Sequence, residues 1–248
     1  MEQVDVLVVG GSTVGLTTAA LLAHHGVKPL VIERRAGLSI HPRAMGVSVR
    51  TLETFRELGV TEELRATLDP NPGRGKIVVE TLANADPALT PLSPVITEQS
   101  NKAITPVTHT PSSQDRIDAV LHAAIVRMGG EVRYGTTLES FTQDENGVTA
   151  EGLNIRAKYM VAADGARGHV REALGIETTG PGPIGTENVS VLFRADLREM
   201  ASFVLCEVRT PKAPGMIISM GGGRYVFHTG VAAAEQREPA DLVRTAIG

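Results

Sequence analysis

Val4-Asp5-Val6-Leu7-Val8-Val9 forms a near-continuous apolar run, Val14 to His25 follow at helical spacing, and Leu30-Val31-Ile32 make a second short apolar run. Such runs suit buried parallel strands, and Gly26 suits the left-handed position that follows a helix. The chain is therefore predicted to begin with a βαβ unit. Residues 47–58 carry Leu52, Phe55 and Leu58 at helical spacing and stop at Gly59. A short second helix is predicted after Thr61, its N-cap, with Glu62 and Glu63 well placed in the first turn. Asp69-Pro70-Asn71-Pro72-Gly73 breaks regular structure, and residues 83–113 are rich in Pro, Thr and Ser, which predicts an excursion into a second domain or a long covering loop.

Ser112 with Asp115 three positions on reads as a capping box. It opens a helix whose apolar positions Ile117, Val120, Leu121, Ala124 and Met128 follow the 3.6 period and end at Gly129-Gly130. Strand-like runs follow at 131–134, 137–141 and 148–150, then Tyr159 to Ala163 leads into Asp164-Gly165. Beyond Pro181 the pattern changes to strands at 189–195, 203–208, 216–220 and 225–229, with Gly221-Gly222-Gly223 as a hairpin turn between the last two. The predicted fold class is α/β. Residues 1–75 with 104–180 make a Rossmann-type domain, and 76–103 with 181–248 make part of a β-rich domain.

Composition narrows the function classes. With 28 acidic and 24 basic residues among 248, 42% hydrophobic and 21% charged, the profile is that of a soluble globular protein. No run approaches the ~18–20 apolar residues of a membrane span, and the acidic start Met1-Glu2-Gln3-Val4-Asp5 is unlike a secretory signal. A net charge of −4 with no Trp, three Tyr and five Phe argues against nucleic acid as a partner. The single cysteine, Cys206, lies in an apolar run and is expected to be core packing in a reducing, cytoplasmic compartment. No metal site is expected.

The candidate chemistry begins at Gly10-Gly11-Ser12-Thr13-Val14-Gly15, between the first strand and its helix. A dinucleotide's pyrophosphate meets free N–H groups at that place. As a GxGxxG pattern, Gly10 allows the tight turn, Gly15 allows close packing of helix on strand, and Ser12 replaces the middle glycine. The other reading of this turn is a structural one. Glu33 ends the second strand 23 positions after Gly10, near the ~20 expected of an acid that accepts from an adenosine ribose. A 2′-phosphate would repel it, so FAD or NAD suits this site and NADP does not; alternatively Glu33 is a solvated acid beside Arg34 and Arg35. Asp164-Gly165-Ala166-Arg167 offers a second carboxylate at a strand end, or else a plain strand-to-helix turn.

In chain order, the segments 5–16, Val31-Ile32-Glu33-Arg34, His41-Pro42-Arg43-Ala44, Gln114-Asp115-Arg116 and Ala163-Asp164-Gly165-Ala166-Arg167 resemble the FAD-dependent aromatic hydroxylases. These are class A flavoprotein monooxygenases of the phenol and para-hydroxybenzoate hydroxylase type, and the likeness is strongest to the branch that tailors bacterial polyketides. The resemblance implies that Gly10, Ser12 and Gly15 hold the FAD pyrophosphate, that Glu33 assisted by Arg34 holds the adenosine ribose, and that Arg43 and Gln114 lie near the flavin and its phosphates. It links Asp164 and Gly165 to both FAD and NAD(P)H. The implied reaction takes a hydride from NADPH or NADH onto FAD, reacts the reduced flavin with O2, and holds a C4a-hydroperoxide against a small aromatic substrate. No catalytic side chain is implied, because the flavin carries the oxidation chemistry.

The family also has a later Gly-Asp segment beside the flavin ring, which these 248 residues do not contain. The expectation is that they are the N-terminal part of a hydroxylase and are inactive alone. The alternatives are a non-catalytic FAD-binding fragment, or a halogenase or reductase on the same scaffold.

Overall fold

The computed structural model describes residues 1–41, 44–69, 73, 75–86, 105–107, 110–182 and 184–248. The chain divides into two compact units, Met1–Thr67 with Thr105–Gly180, and Leu68–Ile104 with Pro181–Gly248. In chain order the elements begin with β1 (Glu2–Val9), α1 (Thr13–His24), β2 (Pro29–Glu33), α2 (Val49–Glu57), α3 (Thr61–Ala66) and β3 (Lys76–Val79). After a 3-10 turn at Leu82–Asn84 come α4 (Gln114–Arg127), β4 (Glu131–Tyr134), β5 (Ser140–Asp144), β6 (Gly147–Glu151), β7 (Ile155–Ala162) and α5 (His169–Ala173). The chain continues through β8 (Asn188–Arg194), β9 (Leu205–Val208), β10 (Gly215–Gly221), β11 (Arg224–Gly230), α6 (Val231–Ala234) and α7 (Pro239–Ile247).

The first unit is a six-stranded sheet in the order β4-β2-β1-β7-β6-β5. β1 pairs in parallel with β2 and β7, and β2 with β4, while β5 and β6 join by antiparallel pairing. Both faces of β1 are covered. Val6 and Val8 pack with Leu16, Leu52, Phe55 and Leu121 under the helices, whereas Leu7 and Val9 pack with Leu138, Ile155 and Val170 on the other side. Two-sided burial explains why the strand has no polar alternation. Fully burying one such side chain contributes about 1.5–3 kcal/mol.

The helix starts differ in detail from the sequence pattern. α4 is N-capped by Ser113, not Ser112, and no capping box forms. The cause is backbone pairing: Met45 bridges Ser113, and Gln114 N–H donates to Ala44 O at 3.1 Å. α3 is likewise capped by Val60, one residue before the predicted Thr61. At α2 the Ser48 hydroxyl accepts from Thr51 N–H at 3.2 Å, the usual N-cap bond.

The second unit is a five-stranded sheet, β3-β9-β10-β11-β8, antiparallel except for β3 on β9. Ile77, Cys206, Ile217 and Phe227 on one of its faces pack with Leu242, Val243 and Ala246 of α7. Cys206 is fully buried there, as the sequence pattern requires. Gly221, Gly222 and Gly223 all have positive φ and turn β10 into β11. Among the described residues no helix is long and apolar enough to cross a membrane.

Candidate functional site

The parallel pairing of β2, β1 and β7 brings three strand ends to one edge. Gly10 N–H donates to Ile32 O at 2.9 Å, and Ala163 N–H donates to Val9 O at 2.8 Å. Gly10 has φ +111, a region favouring glycine, and a Cβ there would overlap the Ala163 carbonyl oxygen. A Cβ on Gly15 would overlap the Gly10 carbonyl oxygen, and one on Gly11 would lie 2.8 Å from the Glu33 Cβ. The glycines are thus required by close backbone approach at the point where strand gives way to helix.

Glu33 is 7% exposed, so it is not a solvated surface acid. Its Oε2 accepts from Gly11 N–H at 2.8 Å and its Oε1 from Arg35 N–H at 2.9 Å. A carboxylate oxygen can accept more than one donor, so ribose hydroxyls can still be received there. Tyr134 pairs with Glu33 across the β2–β4 ladder. Its hydroxyl is buried with no hydrogen-bond partner, and burial, followed by the charges of Asp118 and Glu33, pushes its phenol upward.

Ser12 N-caps α1 with extended backbone, yet its side chain makes no bond to its own helix. Instead its hydroxyl donates to Asp118 Oδ2 at 3.2 Å and accepts from Gln114 Nε2 at 2.8 Å. The Thr13 hydroxyl donates to Asp118 Oδ1. Asp118 is 1% exposed on the buried face of α4. Burial raises its carboxyl above the ordinary value, against the lowering effect of bonds from Thr13, Ser12 and Gln114, while the nearby Asp115 charge raises it further. Sequence reasoning singled out Ser12 and Gln114 but missed Asp118. An acid set between Ile117 and Leu121 on an apolar helix face was the available signal.

Among the described residues, the N–H groups of Thr13, Val14 and Gly15 have no acceptor. Val14 itself is 70% exposed. Free N–H groups at the positive end of a twelve-residue helix suit phosphate oxygens, and the buried acid at the end of β2 suits ribose hydroxyls. The residues therefore fit the adenosine diphosphate portion of a dinucleotide.

The other predicted residues are placed as follows. Asp164 and Gly165 follow β7, and Asp164 N would lie 3.0 Å from a Cβ on Gly10. The Asp164 carboxylate, however, turns toward α5, where Oδ2 accepts from Val170 N–H at 3.0 Å. Gly165 has φ +96 with open space around it. Arg34 is exposed and has no side-chain partner among the described residues. Arg43 lies outside the described residues.

Residues 3–247 match the family model described as "FAD binding domain". A "putative polyketide hydroxylase" of Streptomyces halstedii is 38% identical over 243 residues, which is 92% of this chain and 43% of that protein. The crystal structure of aklavinone-11 hydroxylase in a ternary complex with FAD and aklavinone superposes with a TM-score of 0.78 at 33% identity, over 97% of this chain and 48% of that one. The substrate-free rebeccamycin biosynthetic enzyme REBC gives a TM-score of 0.82 at 28% identity, over 100% of this chain and 51% of that one. The chain thus spans about half the length of the proteins it matches.

Proposed function

The chain belongs to the FAD binding domain family, and from that premise we propose that the protein carrying it is a flavin-dependent monooxygenase that hydroxylates an aromatic polyketide. NADPH or NADH supplies the electrons and O2 the oxygen. The observation that carries the reading is the corner where buried Glu33 is held against the Gly-rich turn by the Gly11 N–H. It offers a ribose acceptor and free helix N–H groups side by side. The polyketide hydroxylases and the aklavinone complex among its relatives support the substrate class.

In this reading Glu33 receives the adenosine ribose hydroxyls and, by its charge, disfavours a 2′-phosphate. The Val14 and Gly15 N–H groups take the pyrophosphate, and Gly10 and Gly15 keep turn, helix and strands close enough for that to happen. Gln114 holds Ser12, Arg34 assists Glu33, and Arg43, Asp164 and Gly165 complete the cofactor side. Bound FAD supplies the redox chemistry between nicotinamide and oxygen. The first unit is the cofactor domain and the second contributes to the substrate domain. The reaction runs in the cytoplasm, where reduced nicotinamide is regenerated.

A coupled assay on the protein that carries this chain tests the proposal, following NAD(P)H, peroxide and product with an anthracycline-type aglycone. Hydroxylated product in proportion to NAD(P)H consumed is the expected result. Oxidation that yields peroxide alone across a panel of phenolic polyketides would refute the hydroxylase reading.

A further inference from the structure

Serine at an N-cap ordinarily turns its oxygen onto the N–H two or three residues ahead, which here would be Val14 or Gly15. Ser12 does not, because its hydroxyl is committed to α4 through Asp118 and Gln114. Asp118 is bonded by two consecutive residues of the turn, Ser12 and Thr13, across more than 100 positions of sequence. Its neighbours on the buried face of α4 are apolar, Ile117, Val120 and Leu121. A leucine or valine would suit that face, and a buried carboxylate costs free energy to keep. Packing therefore does not account for an acid at this position, and what the acid touches does.

We propose that Asp118 is a positioning residue for the phosphate end of the FAD site: by drawing the Ser12 hydroxyl down to α4, it stops Ser12 from capping its own helix and leaves the Val14 and Gly15 N–H groups free for the cofactor's pyrophosphate. This rests on reading the Gly-rich turn as the FAD phosphate site. Without Asp118, the Ser12 oxygen competes with the ligand for the same donors. Ser12 is then tolerated in place of the family's glycine only because a partner restrains it. Removing the Ser12 side chain removes the competition, so Ser12→Gly should rescue a loss caused at position 118. A carboxylate that merely ties α4 to α1 has no such rescue.

The first test needs no cofactor. Amide hydrogen exchange at Val14 and Gly15, resolved by NMR on the 248-residue chain, should slow about fivefold in Asp118→Ala, the factor that a cap of ~1 kcal/mol gives. It should return to the wild-type rate in Ser12→Gly/Asp118→Ala. In parallel, FAD affinity should fall about fivefold in Asp118→Ala and recover in the double variant to that of Ser12→Gly alone. Asp118→Leu, which fills the same space, replaces the alanine variant if that one does not fold. Unchanged exchange in a folded Asp118 variant, an affinity loss that Ser12→Gly does not restore, or loss of fold in both Asp118 variants would each overturn the proposal. A wild-type chain without FAD affinity would instead strike at the FAD reading, which the exchange measurement does not use.

Discussion

The Gly11 N–H donates to Glu33 Oε2 at 2.8 Å across 22 positions of sequence, so the Gly-rich turn and the end of β2 form one structure. The carboxylate also accepts from Arg35 N–H. Its orientation is therefore set by the chain's own backbone donors. Glu33→Ala should strand two backbone donors and remove a charged acceptor, costing about 2 kcal/mol of stability and at least about tenfold in FAD affinity. Thermal melting and flavin fluorescence titration measure the two effects. An unchanged dissociation constant would show that Glu33 braces the turn without touching the cofactor.

Gly15→Val should be far worse than Ser12→Gly. A Cβ at position 15 overlaps the Gly10 carbonyl oxygen, and backbone cannot move aside cheaply. Overpacking at such a contact costs about 3 kcal/mol, visible as lost thermal midpoint or lost folded yield. Ser12→Gly should be nearly neutral for folding. Gly165→Ala forms an intermediate case, since the space around it is open and only its positive φ opposes a side chain, at about 1 kcal/mol.

Burial, with a smaller contribution from the Glu207 charge, pushes the Cys206 thiol up to about 12 from its ordinary 9.0. A raised folded value means that the unfolded chain releases this proton first as pH rises. The associated stability is fully present below about pH 9 and is lost as pH climbs toward 12. Urea unfolding at pH 7.5 and at pH 10, compared with Cys206→Ala, isolates this contribution: the gap between the two proteins should narrow at the higher pH. Iodoacetamide at pH 8 should modify Cys206 only under unfolding conditions. Alkylation of the native chain at the rate of a free thiol would contradict its burial.

What was legible in the sequence depended on range. β1, α1 and β2 are set by local periodicity and by glycines with steric reasons, so Gly10, Gly15 and Glu33 could be placed from pattern alone. β3 was not read as a strand, because its pairing with Leu205–Val208 is remote in sequence and its four residues carry little pattern. The capping box read at Ser112 does not form, because α4 begins one residue later, at Ser113, which is held in a bridge to Met45 that is remote in sequence. Asp118 stands out in the sequence only as an acid on an apolar helix face, and its partners Ser12 and Thr13 are supplied by α4 packing on α1. Asp164 was read toward the cofactor, and the structure adds that its carboxylate caps α5.

In the proposed function the first unit holds the adenosine diphosphate portion of FAD. Its most direct test is a competition titration on the 248-residue chain, with FAD monitored by its fluorescence and ADP or riboflavin as the competitor. ADP should displace FAD, riboflavin should not, and Glu33→Ala should weaken both FAD and ADP by a similar factor. A folded chain from which riboflavin displaces FAD and ADP does not, or in which Glu33→Ala leaves ADP binding untouched, would contradict the account.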